Sequence, residues 1–152
     1  MKRLIVGSVV VLAALLAVAP VGAKPGQDKI AGTVTYLDQT ISTSATTSDQ
    51  YGTRGTWSLT YPGVSYSGRV HTLIIDGTRA VACGTITSSS EPSHVSQPFQ
   101  QYVGDSGVKT QKDRSVTLLL NLRPCMTPSE FEAEYPAVEV EGQWHVHDGQ
   151  PT

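Results

Sequence analysis

Apolar residues recur at every second position through much of this chain. Trp57, Leu59 and Tyr61 alternate with Thr56, Ser58 and Thr60, the period of a strand with one buried face. Tyr61-Pro62-Gly63-Val64 follows. Proline sets φ at the first central position of a type II turn, and glycine supplies the positive φ of the second. A second strand is expected from Val64 to about Ile75, with Val64, Tyr66 and Val70 on one side. Its apolar phase shifts before Leu73-Ile74-Ile75, which places a bulge or bend between Gly68 and Thr72. Asp76-Gly77 predicts a type I′ hairpin turn, in which both central residues take positive φ. The third strand, Arg79 to about Ile86, brings small residues, Ala80, Ala82 and Gly84. These three strands form an antiparallel meander.

The flanking segments extend the same pattern. Ile30 to Leu37 reads as a first strand with Val34 and Tyr36 pointing inward. Gln39 to Ser48 is nearly all Thr, Ser and Ala around Ile41, and fits a strand or a loop equally. Beyond the polar loop Thr87–Ser93, His94 to Val103 alternates again, with Val95, Phe99 and Val103 as core contacts. A charged turn, Gly104–Arg114, precedes Ser115–Leu122, whose run of leucines predicts a strand covered on both faces. Thr127-Pro128-Ser129-Glu130 has the chemistry of a capped helix start, and Pro136 stops what begins there. The expected short helix, near 128–135, plugs or flanks a barrel end. In the last strand Val138, Val140, Gly142, Trp144 and Val146 alternate with Glu139, Glu141, Gln143, His145 and His147. The pattern predicts a mainly β protein, an antiparallel meander of roughly seven or eight strands closing into a small barrel or a sandwich, with one short helix.

Met1-Lys2-Arg3, the apolar run Leu4–Val18 and the small residues Val21-Gly22-Ala23 form a secretory signal peptide, residues 1–23. The run is shorter than the roughly 20 residues of a membrane span. The mature chain, 24–152, is expected to be one secreted domain, extracellular or in the cell envelope. It carries 9 basic and 13 acidic residues, which argues against nucleic acid as a partner.

The segment Gly55-x-x-Ser58-Leu59-x-Tyr61, followed by Val70, Leu73, Ile75, Gly77, Ala80 and Gly84 in their hairpin spacing, resembles small secreted bacterial β-proteins of the post-COAP domain type. The closing Gly142-Gln-Trp-His-Val-His147 is similar to the glycine-led last strand of those proteins. The resemblance implies a barrel-like fold and no catalytic residue. Cys83, Cys125 and the acidic segment before the last strand depart from that pattern.

Candidate chemistry is sparse. Cys83 and Cys125 in an exported chain read as a disulfide. Gly104-Asp105-Ser106-Gly107 looks like the nucleophile motif of chymotrypsin-like proteases, but Val108-Lys109 follows where that motif continues with glycine and proline. His71 also lacks the Ala-His-Cys context, so the segment reads as a turn. His145 and His147 share a strand face at a spacing that can hold zinc or copper, with His71 or His94 needed as a third ligand. They are weak metal candidates, and no cofactor is expected. Glu130, Glu132, Glu134, Glu139 and Glu141 read as a solvated acidic face. The first functional expectation is a secreted, non-enzymatic β-domain, a binding module for an extracellular surface partner. The second is a lipocalin-like barrel carrying a small apolar ligand, with Trp57, Tyr61, Tyr66, Phe99 and Trp144 lining its cavity. A secreted hydrolase or metal-dependent enzyme ranks last.

Overall fold

A computed structural model describes residues 27–149 except 121; the signal-peptide expectation lies outside those residues. The strands are β1 (Asp28–Tyr36), β2 (Gln39–Ser48), β3 (Gly52–Tyr61), β4 (Val64–Asp76), β5 (Arg79–Ser89), β6 (Pro98–Gly104), β7 (Arg114–Leu119), β8 (Val138–Glu139) and β9 (Glu141–His147), with one helix, α1 (Pro128–Glu134). They form one antiparallel sheet in the order β8-β7-β6-β5-β4-β3-β2-β1-β9, curled into a nearly closed barrel. Gln39–Ser48 is a strand, since Ile41, Thr43 and Ala45 alternate inward and are buried.

The hairpins follow the turn chemistry, with one correction. Pro62-Gly63 turns as expected, Gly63 at φ 79°. In the β4–β5 hairpin Asp76 stays in the ladder opposite Arg79, so Gly77-Thr78 are the central residues. Positive φ falls on Gly77 alone (60°), which is the II′ pattern rather than I′. The expected bulge is present as register shifts at Ser67/Gly68 and Val70/Thr72.

Two cores sit on opposite faces of the sheet. The lumen is filled by Ile30, Val34, Trp57, Tyr66, Val70, Ile86, Phe99 and Trp144. Trp57 and Phe99 stack with ring centroids 4.2 Å apart. Gly84 makes room for that stack, because a Cβ there would lie 2.6 Å from the Phe99 ring. Outside the wall, Val81, Cys83 and Tyr102 meet Met126 and Phe131. Helix α1 therefore flanks the barrel wall. Its start is built by Thr127, whose side chain accepts from the Glu130 N–H while Glu130 accepts from the Thr127 N–H. The Cys83–Cys125 bond, with Cα atoms 5.8 Å apart, ties this layer to β5. Buried Gln100 reinforces it by donating to the Arg123 and Pro124 carbonyls and accepting from the Met126 N–H.

Closure departs from the single amphipathic strand expected at the end of the chain. β8 pairs with Arg114 and Ser115 of β7. The chain then crosses at Val140, whose N–H donates to the Asp113 carbonyl (2.9 Å), and β9 pairs with β1. Gly142, at φ 111°, permits the bend; a Cβ there would lie 2.5 Å from the Thr33 carbonyl. On the side of β9 away from β1, the Trp144 N–H donates to Asp113 and the Val146 N–H to Asp105 (3.0 Å). Two carboxylates thus replace a strand ladder along that edge.

Three other expectations change. Tyr36 lies at the strand end and is half-exposed. Val95 lies outside β6, because Pro92 opens a 3-10 turn and Ser96 (φ 70°) folds back on Ile86 before the strand starts at Pro98. β7 stops at Leu119, since Leu120 takes φ 58°, and Leu120 and Leu122 are exposed. Within β7 both faces are covered as expected: Leu119 packs on the lumen, Val116 and Leu118 on the outer layer.

Candidate functional site

The aromatic residues expected to line a cavity mostly fill the barrel. Trp57, Tyr66, Phe99 and Trp144 are each at most 3% exposed and pack against one another and the aliphatic core. The bulk of two indoles and a phenyl ring leaves them as core rather than as walls. A buried polar network completes the filling. Trp57 Nε1 donates to Gln101 Oε1 (3.2 Å), Thr117 Oγ1 donates to the same oxygen, and Gln101 Nε2 donates to Ser115 Oγ. Tyr66 runs to one end of the barrel, where its hydroxyl lies between Glu91 Oε2 (3.2 Å) and His94 Nδ1 (3.1 Å). Burial pushes that phenol well above its ordinary range, and the bonds to Tyr61 and Glu91 add to the shift. It is held as a neutral anchor for the 3-10 turn.

Tyr61 alone of the five borders a cleft. This cleft, of about 370 Å³, lies between the ends of β1, β2 and β3 on one side and β7 and β8 on the other. Tyr36, Ile41, Leu59, Tyr61, Leu119, Val138 and Val140 give it an apolar lining, and Gln39, Ser115 and Thr117 supply polar atoms. It exists because β8 pairs with just two residues of β7. Beyond them the wall has no strand between Val116–Leu119 and the β1–β2 turn. The lining holds no carboxylate, amine, guanidinium or imidazole.

The other sequence candidates have structural partners. Ser106 Oγ lies within reach of the Val108 (3.0 Å) and Gln111 (3.1 Å) carbonyls. Its N–H donates to Asp113 (2.9 Å), and Asp105 accepts from the Gly107 N–H (2.7 Å). The Gly-Asp-Ser-Gly segment thus shapes the loop whose carboxylates hold β9. His145 and His147 are exposed on the outer face, opposite Ala31 and Lys29. His71 bonds Thr72 Oγ1 (3.1 Å) and His94 bonds Glu91 (2.9 Å). Among the described residues no group of three His, Cys, Asp or Glu could hold a metal ion.

The glutamates do not form one acidic face. Glu132 accepts from Tyr102 and from Arg79 (2.9 Å) and approaches Arg114 (3.4 Å); Glu134 pairs with Arg123 and Glu141 with Lys112. The Tyr102 hydroxyl and the two guanidiniums hold the Glu132 carboxyl below its usual range.

No protein family, curated protein or solved structure matches the chain. The cleft residues Ile41, Leu59, Leu119 and Val140 read in sequence as ordinary core positions. The break between β8 and β9 that exposes them has one trace there, Gly142 inside an otherwise regular alternation.

Proposed function

We propose that this chain is an exported, non-enzymatic β-barrel that binds a small, neutral, apolar ligand in the wall cleft. The observation that carries the reading is the cleft itself, about 370 Å³ with a mainly apolar lining and a few polar atoms. Ligand pockets have that size and composition. A lining without fixed charge favours a neutral ligand, because a buried unpaired charge is costly. Tyr61 and Gln39 offer hydrogen bonds to one polar atom of such a ligand. The leader residues 1–23 and the Cys83–Cys125 disulfide favour export to an oxidising compartment. The resemblance to secreted post-COAP-type proteins implies a barrel-like fold and carries over no catalytic residue.

Titration of the mature protein with the fluorophore 1-anilinonaphthalene-8-sulfonate and with a neutral naphthalene analogue tests the proposal. Saturable binding of the neutral probe is expected, with a dissociation constant on the order of micromolar. Val138 lines the cleft and is 37% exposed, so Val138→Arg fills the cleft at small cost in stability. That variant should lose the binding while keeping its melting temperature. Absence of saturable binding, or binding untouched by Val138→Arg, overturns the reading.

A further inference from the structure

A second surface lies on the outer face of β1–β4. In-register rows cross these strands: Lys29–Thr46–Arg54, then Ala31–Ser44–Thr56–Arg69, then Thr33–Ser42–Ser58–Ser67. Together they shape a shallow groove of about 580 Å³ floored by small hydroxyl side chains. Among the described residues the hydroxyls of Ser44, Thr56, Ser58 and Ser67 donate to no protein group, whereas Thr33 and Ser42 bond each other (2.8 Å).

Three of the basic residues without an ion pair cluster on this face; among the described residues Lys109, in the loop between β6 and β7, is the other. Arg79, Lys112, Arg114 and Arg123 are each paired with a glutamate. Lys29, Arg54 and Arg69 are exposed on the grooved face and form no ion pair among the described residues. Arg54 lies 5.0 Å over the ring of Tyr51, which is 58% exposed at the border of the face. His145 and His147 extend the rows onto β9 beside Ala31 and Lys29. The carboxylates Asp28, Asp49 and Asp148 stand at strand ends and turns around it, not within it.

We propose that this groove binds an anionic polysaccharide, its acid groups facing Lys29, Arg54 and Arg69 and its sugar hydroxyls facing the serine and threonine floor. Neighbouring strands are about 4.8 Å apart, so Lys29 on β1 and Arg54 on β3 stand roughly two strand spacings apart. That separation suits acid groups on alternate sugars of an extended chain laid across the strands. Exposed Tyr51 offers a ring on which a sugar face stacks. The one large apolar side chain in the lining, Trp57, is 1% exposed and packed in the lumen, so the groove presents none that could enter a bilayer. Three cations on an acidic chain are few for a duplex phosphate array. Both features favour a glycan over a lipid surface or nucleic acid.

Affinity electrophoresis and calorimetry of the mature protein with polygalacturonate test this. Parallel arms use neutral dextran, single-stranded DNA, and vesicles of phosphatidylcholine with phosphatidylglycerol. Polygalacturonate should bind with an affinity that falls with salt, and dextran should not bind. Replacing Arg54 and Arg69 by serine should weaken binding roughly tenfold or more and flatten the salt slope by about 2. Lys112→Ser removes a paired cation elsewhere and should leave binding unchanged. Ser58→Trp keeps the charge but obstructs the groove, and should abolish binding. The proposal is overturned by no polygalacturonate binding, by equal loss in Lys112→Ser, by full binding in Ser58→Trp, or by tighter binding of DNA or vesicles.

Discussion

Leu37 takes φ 52° in the β1–β2 turn while its side chain is 84% exposed. Left-handed backbone costs a bulky residue about 1–3 kcal/mol, and here no packing offsets it. Glycine adopts that angle freely but loses more entropy on folding, by roughly 0.5–1 kcal/mol. Leu37→Gly should therefore stabilise the fold by ~1 kcal/mol, raising the melting temperature by a few degrees. A melting temperature equal to or below that of the native chain would show the turn to be relaxed around leucine. Asp113 makes the opposite case at the same scale. It is 5% exposed, yet its carboxylate receives the Ser106 and Trp144 N–H groups, so a residue that reads as part of a polar turn serves as a buried strand surrogate.

Helix α1 is seven residues long, too short to persist without its cap and its tertiary contacts. Phe131 supplies the apolar contact, packing against Tyr102 with centroids 5.7 Å apart. Glu132 supplies the polar one, and its carboxyl is held below the ordinary glutamate range, first by the Tyr102 hydroxyl and then by Arg79. A carboxyl whose folded pKa is depressed binds fewer protons in the native state than in the unfolded one across that interval. Its contribution is fully present above the unfolded pKa and is lost as pH falls through the folded one. Glu132→Gln should lower stability at neutral pH, and the gap to the native chain should close progressively as pH drops below about 4.5. Denaturant unfolding across that range measures it; a gap that stays constant with pH would assign the loss to packing instead of charge.

For the molecule as a whole, the Cys83–Cys125 bond spans 42 positions and links the outer layer to the central meander. A loop of that length is worth ~4 kcal/mol in the chain-entropy description. Replacing both cysteines by alanine should cost about that much in equilibrium unfolding, and the native protein should show no free thiol when denatured without reductant. If α1 and the segment before it docked through Gln100 and Phe131 alone, hydrogen exchange at Met126 and Phe131 would be as slow in the double variant as in the native chain. We expect it to accelerate, because the disulfide is the covalent link between that layer and β5.

Alternation, turn chemistry and capping are local properties, so the meander, the Pro62-Gly63 turn, the β4 bulge and the helix start at Thr127 were all legible in sequence. The disulfide was legible too, from two cysteines in a chain whose first residues read as an export leader. Closure was not. Val138 to Val146 alternates with Gly142 as its one irregular member, and only three-dimensional pairing divides it between β7 and β1, leaving Val116–Leu119 without a strand neighbour on the side away from β6 and opening the cleft. Whether an aromatic residue fills a lumen or lines it is equally a tertiary matter, since Phe99 of β6 reaches Trp57 of β3 only because Gly84 and Gly68 on the two strands between them leave room for its ring. The same holds for charge. Composition counts Lys29, Arg54 and Arg69 together with Arg79 and Arg114, and the fold alone decides which of them meets a carboxylate, because ion pairing depends on a few ångströms that separation along the chain does not specify.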